Sequence, residues 1–157
     1  MKIKIDNLDG IEIATLLQQH QDDMLCHSPV ESVHALDLSA LKSADVTFWS
    51  AWIDGELAGC GALKALDAQH GELKSMRTAH DHLRKGVAAK LLAHITDEAR
   101  ARGYQRISLE TGTAPEFLPA QTLYKQAGFS PCPPFSDYSE DPYSAFFTLV
   151  LGKQKLT

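Results

Sequence analysis

The stretch from residue 71 to residue 110 limits the fold more than any other part of the chain. Residues 86–102 carry Ala88, Leu91, Leu92, Ile95 and Ala99 as one apolar stripe of helical period, and Gly103 stands where a helix stops. β-rich runs flank this helix: residues 71–78 (GELKSMRT) before it and 105–110 (QRISLE) after it. A strand, a long helix and a second strand return to one sheet by a crossover, so the two strands run parallel inside a mixed sheet.

The remaining segments predict antiparallel neighbours. Residues 46–53 (VTFWSAWI) and 56–66 are strands joined by Asp54-Gly55, a two-residue hairpin signal. Residues 2–5 alternate polar and apolar and form a short first strand, and residues 144–151 (SAFFTLVL) form the last. In the run 71–78, alternation places Glu72, Lys74, Met76 and Thr78 on one face.

Residues 11–24 carry Ile13, Leu16 and Leu17 as a modest helical stripe. A second helix starts at Ser28-Pro29-Val30-Glu31, with an N-cap serine, proline in the first turn and a capping-box glutamate. It continues through Val33, Leu36, Leu38 and Leu41 with one break near Asp37. Residues 119–127 make a short helix closed by Gly128, and Pro131, Pro133 and Pro134 impose a stiff loop. With no repeat, low-complexity tract or linker, residues 1–157 are expected to form a single domain.

Charge and cysteine usage narrow the function classes. A net charge of -5 argues against bulk binding to nucleic acid or to an anionic membrane surface. Cys26, Cys60 and Cys132 are widely spaced, which argues against a disulfide framework or a zinc site and suits a reducing cytoplasm. The N-terminus has no signal-peptide block, and no run approaches the roughly 20 apolar residues of a membrane span. The seven histidines lack ligand spacing, so no metal is expected. His80 and His82, which flank the loop before the long helix, either touch a ligand there or are solvated. His94 reads as solvated, and His27 and His34 bracket the second helix and either line a pocket or do not.

The chemistry concentrates at Leu83-Arg84-Lys85-Gly86-Val87-Ala88-Ala89, between a strand and the long helix. A helix N-terminus leaves backbone N–H groups unpaired and carries about half a positive elementary charge. Gly86 admits close approach of a ligand, and Arg84 and Lys85 add positive charge, which suits a pyrophosphate. The alternative is that Gly86 only relieves a tight turn and the basic pair is solvated. Neither a P-loop nor a G-x-G-x-x-G fingerprint is present.

Residues 78–92 (TAHDHLRKGVAAKLL), followed by a strand and then residues 120–129 (AQTLYKQAGF), resemble the GNAT superfamily of N-acetyltransferases. An R/Q-x-x-G-x-G/A pyrophosphate loop and an A-x-x-L-Y-x-x-x-G-F helix follow in the family's order and spacing. Two positions depart from it: Leu83 stands where Arg or Gln is usual, and Phe117 replaces an asparagine often found three residues before Ala120. The first shifts binding onto backbone N–H groups and the Arg84–Lys85 pair; the second removes a side-chain hydrogen bond to the pantetheine arm.

The resemblance implies an α/β (α+β) fold: a mixed, mostly antiparallel sheet with a central, splayed parallel strand pair, flanked by helices. Acetyl-CoA is then the co-substrate, its pantetheine arm between the strands 72–78 and 105–110. The backbone of Met76, Arg77 and Thr78 bonds the arm and polarises the thioester carbonyl. In resembling enzymes the tyrosine at Tyr124 protonates the departing thiolate; a helical tyrosine is otherwise a core aromatic. Glu72 occupies a position that carries a glutamate base in some relatives, and Glu110 is the second candidate.

The expected reaction is direct attack of a primary amine on acetyl-CoA in a ternary complex, the acceptor being a small molecule or peptide. The acidic surface favours a small or cationic acceptor, and His34, Trp49 and Tyr138 are candidates for lining its pocket. The aromatic and acidic segment 135–143 either recognises a cationic acceptor or only covers a sheet edge. Two other readings stand beside this one: a non-catalytic acyl-CoA sensor, and an unrelated α+β enzyme binding another phosphorylated ligand. A homodimer is compatible with all of them.

Overall fold

The computed structural model describes residues 1–34 and 38–152. The antiparallel half of one seven-stranded sheet comprises β1 (Lys2–Ile5), β2 (Val46–Ile53), β3 (Glu56–Ala65) and β4 (His70–Thr78). The other half comprises β5 (Arg106–Gly112), β6 (Ser130–Pro131) and β7 (Ser144–Val150), giving the order β1-β2-β3-β4-β5-β7-β6. The halves meet at β4 and β5, the one parallel pair among the described residues. The crossover helix α3 (Val87–Ala101) joins these two strands, as the 71–110 pattern predicts. The Asp54-Gly55 turn joins β2 to β3 with both residues at positive φ, 50° and 81°, as a tight hairpin requires.

Helices cover both faces. On one, α3 and α4 (Leu118–Gln126) bury Leu63, Leu73, Leu91, Ile95, Ile107 and Phe147. On the other, α1 (Ile11–His27) and the four-residue α2 (Leu38–Leu41) cover Phe48, Cys60 and Ala62 with Ile13, Leu16 and Leu41. Ile95 is 0% exposed, so its truncation to alanine would cost about 2–5 kcal/mol. Val87, rather than Ala88, completes the buried stripe of α3; Ala88 is only partly covered.

The parallel pair is splayed. β4 and β5 pair only from His70–Arg106 to Glu72–Ser108, yet β4 continues to Thr78 and β5 to Gly112. A bulge in β4 accompanies the divergence: Cys60 opposes Arg77 and Ala62 opposes Lys74, so Ser75 and Met76 together face Gly61. Ser75 takes a left-handed φ of 57° there. The extra residue also changes which face each side chain joins. Met76 packs into the α3-side cluster with Leu73, while Lys74 reaches Glu72 and Tyr138. The predicted single face of Glu72, Lys74, Met76 and Thr78 is therefore wrong, because a bulge breaks the period of two.

Two other segments differ from the sequence expectation. The helix start at Ser28-Pro29 produces only a 3-10 turn, Val30–Ser32, without a side-chain cap. Ser28 is extended as the C-cap of α1, and Ser32 Oγ donates instead to Asp141 Oδ2 at 2.6 Å, a tertiary contact overriding a local capping signal. The expected continuation through Leu36 and the break near Asp37 lie outside the described residues. Pro131, expected in an irregular loop, pairs with Phe147 in the two-residue edge strand β6, where proline is tolerated.

Candidate active site

The splay opens a cleft of about 1180 Å³ through the sheet. Past Glu72, no described strand pairs with the side of β4 toward β5, so the backbone groups on that side between Leu73 and Thr78 face the cleft, where an extended ligand could bond them. Leu109, Glu110 and Thr111 of β5 form the facing wall. One end of the cleft runs to the start of α3 and to α4. The other lies beneath α1 and the segment after β6.

At the α3 end, Arg84 and Gly86 both sit at left-handed φ, 64° and 78°, and Leu83 turns out to 51% exposure. Alternation of this kind makes successive N–H groups converge on one concavity. No side chain caps α3 and its first turn holds no acid, so the positive helix end stays open to an anion. Arg84, Gly86, Val87, Ala88 and Ala89 line the cleft here. Lys85 is absent from the lining. Its Nζ lies 3.2 Å from His82 Nδ1, and His82 Nε2 lies 3.0 Å from Glu56 Oε2. A lysine can only donate, so Nδ1 accepts and Nε2–H donates to the glutamate. His82, expected to be solvated, is 5% exposed and ties the loop to the β2–β3 hairpin. His80 lines the cleft and is exposed.

Tyr124 of α4 also lines the cleft; it is buried and packs on Phe129 with ring centroids 5.7 Å apart. Burial raises its phenol well above the ordinary tyrosine value, which keeps the proton on at neutral pH. Phe117, in the 3-10 turn Pro115–Phe117, lies over Gly112, where any Cβ would collide with its ring. That position holds an aromatic plate against the splayed strand in place of an amide.

At the α1 end, Glu72, Lys74 and Tyr138 form one knot. Tyr138 donates to Glu72 Oε2 at 2.5 Å, and Lys74 donates to the same oxygen at 3.1 Å and to the Tyr138 hydroxyl at 2.9 Å. The Lys74 and Glu72 side chains are only 9% and 4% exposed, so each charge depends on the other. Burial, then the Glu72 charge and hydrogen bond, hold the Tyr138 phenol far above its ordinary value. His34 sets its ring edge-on to Tyr138 at 5.0 Å. Phe135 and Tyr138 pack on Phe146, so the 135–143 segment covers a sheet face.

Glu110 faces this knot from β5 without an ion-pair partner among the described residues. Burial is the largest cause that pushes its carboxyl up to about 7, and the charges of Glu72 and Asp141 add to this. Ser144 and Lys74 pull the other way. The buried Ser144 hydroxyl acts from beside the carboxyl without a well-aligned hydrogen bond of its own.

The structure thus brings Glu72, Glu110, His34 and Arg77 to the α1 end, Arg84 and Gly86 to the other, and Met76, Thr78 and Tyr124 between; Tyr138 does not line the cleft but stands behind Glu72 and Lys74. Trp49 is buried in the core instead. Sequence reasoning missed the contribution of α1: His20, Asp23 and Met24 line the cleft, and Asp23 pairs with Arg77 at 2.6 Å. Burial and the neighbouring Arg77 push His20 down to about 4. Their spacing on one turn of α1 was visible, but nothing in it named β4 as their neighbour. Among the described residues no three His, Cys, Asp or Glu side chains could hold a metal ion.

Comparison with known proteins agrees with this geometry. Residues 13–129 match the acetyltransferase (GNAT) family. The uncharacterized N-acetyltransferase YsnE of Bacillus subtilis (strain 168) is 56% identical over 151 residues, 96% of this chain and 100% of its own length. A Klebsiella pneumoniae protein assigned as an acyl-CoA N-acyltransferase superposes with a TM-score of 0.81 at 27% identity, covering 96% of this chain and 97% of that one. A GNAT family acetyltransferase of Elizabethkingia anophelis, solved with acetyl-CoA bound, superposes with a TM-score of 0.69 at 18% identity, covering 95% and 97%. A splayed parallel pair, an uncapped glycine-led helix and a family match spanning both give one result: the chain belongs to the GNAT acetyltransferase family and is an N-acetyltransferase.

Proposed function

We propose that this protein transfers the acetyl group of acetyl-CoA to a primary amine by direct attack in a ternary complex. The pyrophosphate binds on the N–H groups at Arg84 to Ala89, the pantetheine arm extends along the free edge of β4, and the amine enters from the α1 end. A fold neighbour with acetyl-CoA bound supports the choice of cofactor. The backbone at Met76, Arg77 and Thr78 would polarise the thioester carbonyl, and one oriented donor to a developing oxyanion is worth roughly 3 kcal/mol.

An amine with a pKa near 10.4 has only about one neutral molecule in two thousand at pH 7, a penalty of about 4–5 kcal/mol. Its nitrogen attacks the carbonyl carbon, the C–S bond breaks, the amine proton leaves to a base and the thiolate takes the Tyr124 proton. The observation that carries the reading is Glu110: a cleft carboxyl without an ion-pair partner among the described residues, poised at about 7. Glu72 is less available to an incoming amine because its Oε2 already accepts from Tyr138 and Lys74. We therefore assign the proton transfer to Glu110 and the positioning of Lys74 and Tyr138 to Glu72. Direct attack is supported by the cysteines: none lines the cleft, and burial pushes the Cys60 thiol up to about 12.

The test is thiol release from acetyl-CoA across amino acids, polyamines, aminoglycosides and peptides, followed by a kcat–pH profile on the best acceptor. Turnover should rise with pH through about 7 and level off, as Glu110 loses its proton. Glu110→Gln should lower kcat by about 10²–10⁴ and remove that inflection. A variant that keeps the wild-type profile would refute the assignment.

A further inference from the structure

We propose that the acceptor is a free amino acid, whose amine is delivered to Glu110 on one splayed strand while its carboxylate is held by Arg77 on the other. The proposal rests on the reading of Glu110 as proton acceptor and goes beyond it by naming the substrate class.

The first support is the state of the charges. Among the described residues, the acids lining the cleft are Asp23, Glu72, Glu110 and Glu116. Asp23 is bound to Arg77 at 2.6 Å, Glu72 to Lys74 at 3.1 Å, and Glu116 faces His27 at 3.7 Å. Asp141, beside the same end, accepts from Ser32 Oγ and the Tyr143 N–H. Only Glu110 is left to receive a cationic group. A polyamine or aminoglycoside carries several ammonium groups and would have to break these internal pairs. A substrate with one amine needs only Glu110, and the one pair that its carboxylate opens, Asp23–Arg77, is replaced by a new pair to the same guanidinium.

The second support is Arg77. A guanidinium has five N–H donors in a fixed fork. Asp23 engages it through Nη2, while the buried Nε has no hydrogen-bond partner. A buried donor left unpaired costs free energy, and a carboxylate is the group that a guanidinium fork accommodates best. The Asp23 side chain is 56% exposed and can turn to water as a substrate carboxylate arrives. His20, held uncharged beside the guanidinium by burial, does not compete for that anion.

The third support is placement. Arg77 lies beyond the β4 bulge among α1 residues, and Glu110 lies on β5 facing Lys74 and Glu72. Both therefore line the α1 side of the cleft, one on each diverging strand. A ligand lying across the gap meets one cation and one carboxyl. That is the complement of a zwitterion.

The experiment compares kcat/KM for three acceptors with the full chain and acetyl-CoA: L-amino acids, the same compounds lacking the carboxylate (their amides or decarboxylated amines), and spermidine. The amino acids are expected to exceed their carboxylate-free partners by about 30-fold, the worth of a charge-assisted hydrogen bond. Arg77→Met should collapse that ratio toward one by raising KM for the amino acid, and Arg77→Lys should restore it in part. Equal use of carboxylate-free amines, or a preference for spermidine, would overturn the proposal while leaving amine acetylation standing. No thiol release with any of the three would overturn this proposal; the amine-transfer reading falls only if aminoglycosides and peptides also give none. The wild-type comparison needs no folded variant.

Discussion

The two ends of the cleft are built on different principles. At the α3 end the working parts are backbone: an uncapped helix terminus, left-handed φ at Arg84 and Gly86, and small residues at Ala88 and Ala89. All of it lies within seven consecutive residues. At the α1 end the working parts are side chains from four separate segments: Asp23 from α1, Lys74 and Arg77 from β4, Glu110 from β5 and Tyr138 from the segment before β7. Backbone recognition suits a ligand part that never changes, such as a pyrophosphate. Side-chain recognition can be rewritten one residue at a time, as an acceptor site requires.

This contrast can be broken most forcefully in the middle of the cleft, where Tyr124 would serve the chemistry of both ends. Tyr124→Phe should lower kcat by about 10² with little change in CoA affinity. Turnover within twofold of wild type would remove the tyrosine from proton transfer. A smaller effect is expected at the backbone end. Gly86→Val forces a β-branched residue into φ 78° and should weaken CoA binding by about tenfold, read by equilibrium titration. Because a Cβ at Gly86 meets nothing within 4 Å, a loss could not be blamed on a clash with the core, and unchanged affinity would mean that no pyrophosphate lies there.

Smaller still is the effect of the clasp behind that loop. His82→Ala removes the link from Lys85 to Glu56 and should raise KM for acetyl-CoA about threefold, a loss on the scale of one modest hydrogen bond, while kcat stays near wild type. A fall in kcat alone would mean that the clasp acts on chemistry rather than on binding.

The subtlest test concerns stability at the side-chain end. Glu110 titrates near 7 in the fold against 4.5 ordinarily, so the folded chain holds the extra proton between those values. Its contribution to stability falls as pH rises across that window. Glu110→Gln should therefore raise Tm at about pH 8 and leave it unchanged near pH 4.5. An equal shift at both pH values would show that the buried charge is not the cause.

Legibility followed the same division. The crossover was readable because α3 repeats its apolar stripe over several turns, and the hairpin because Asp54-Gly55 admits few alternatives. The open, glycine-led start of α3 was readable because its parts are adjacent in sequence. The bulge at Ser75 and Met76 was not, since it depends on how Gly61 accommodates Met76 across the β3–β4 ladder. Nor was the Lys85–His82 contact, because His82 is itself placed by Glu56 in a distant hairpin. The false helix start at Ser28 teaches the same lesson, for the hydroxyl that mattered was that of Ser32, and it was taken by Asp141.

The sequence by itself determined the crossover, the parallel pair and the open helix terminus, because these rest on interactions between residues close along the chain. Only the tertiary structure decided that Glu72 would be occupied by Lys74 and Tyr138 while Glu110 beside them has no ion-pair partner among the described residues. The physical reason is that a carboxyl's proton affinity depends on which charges surround it and how much water reaches it. Both are set where separate strands and loops converge.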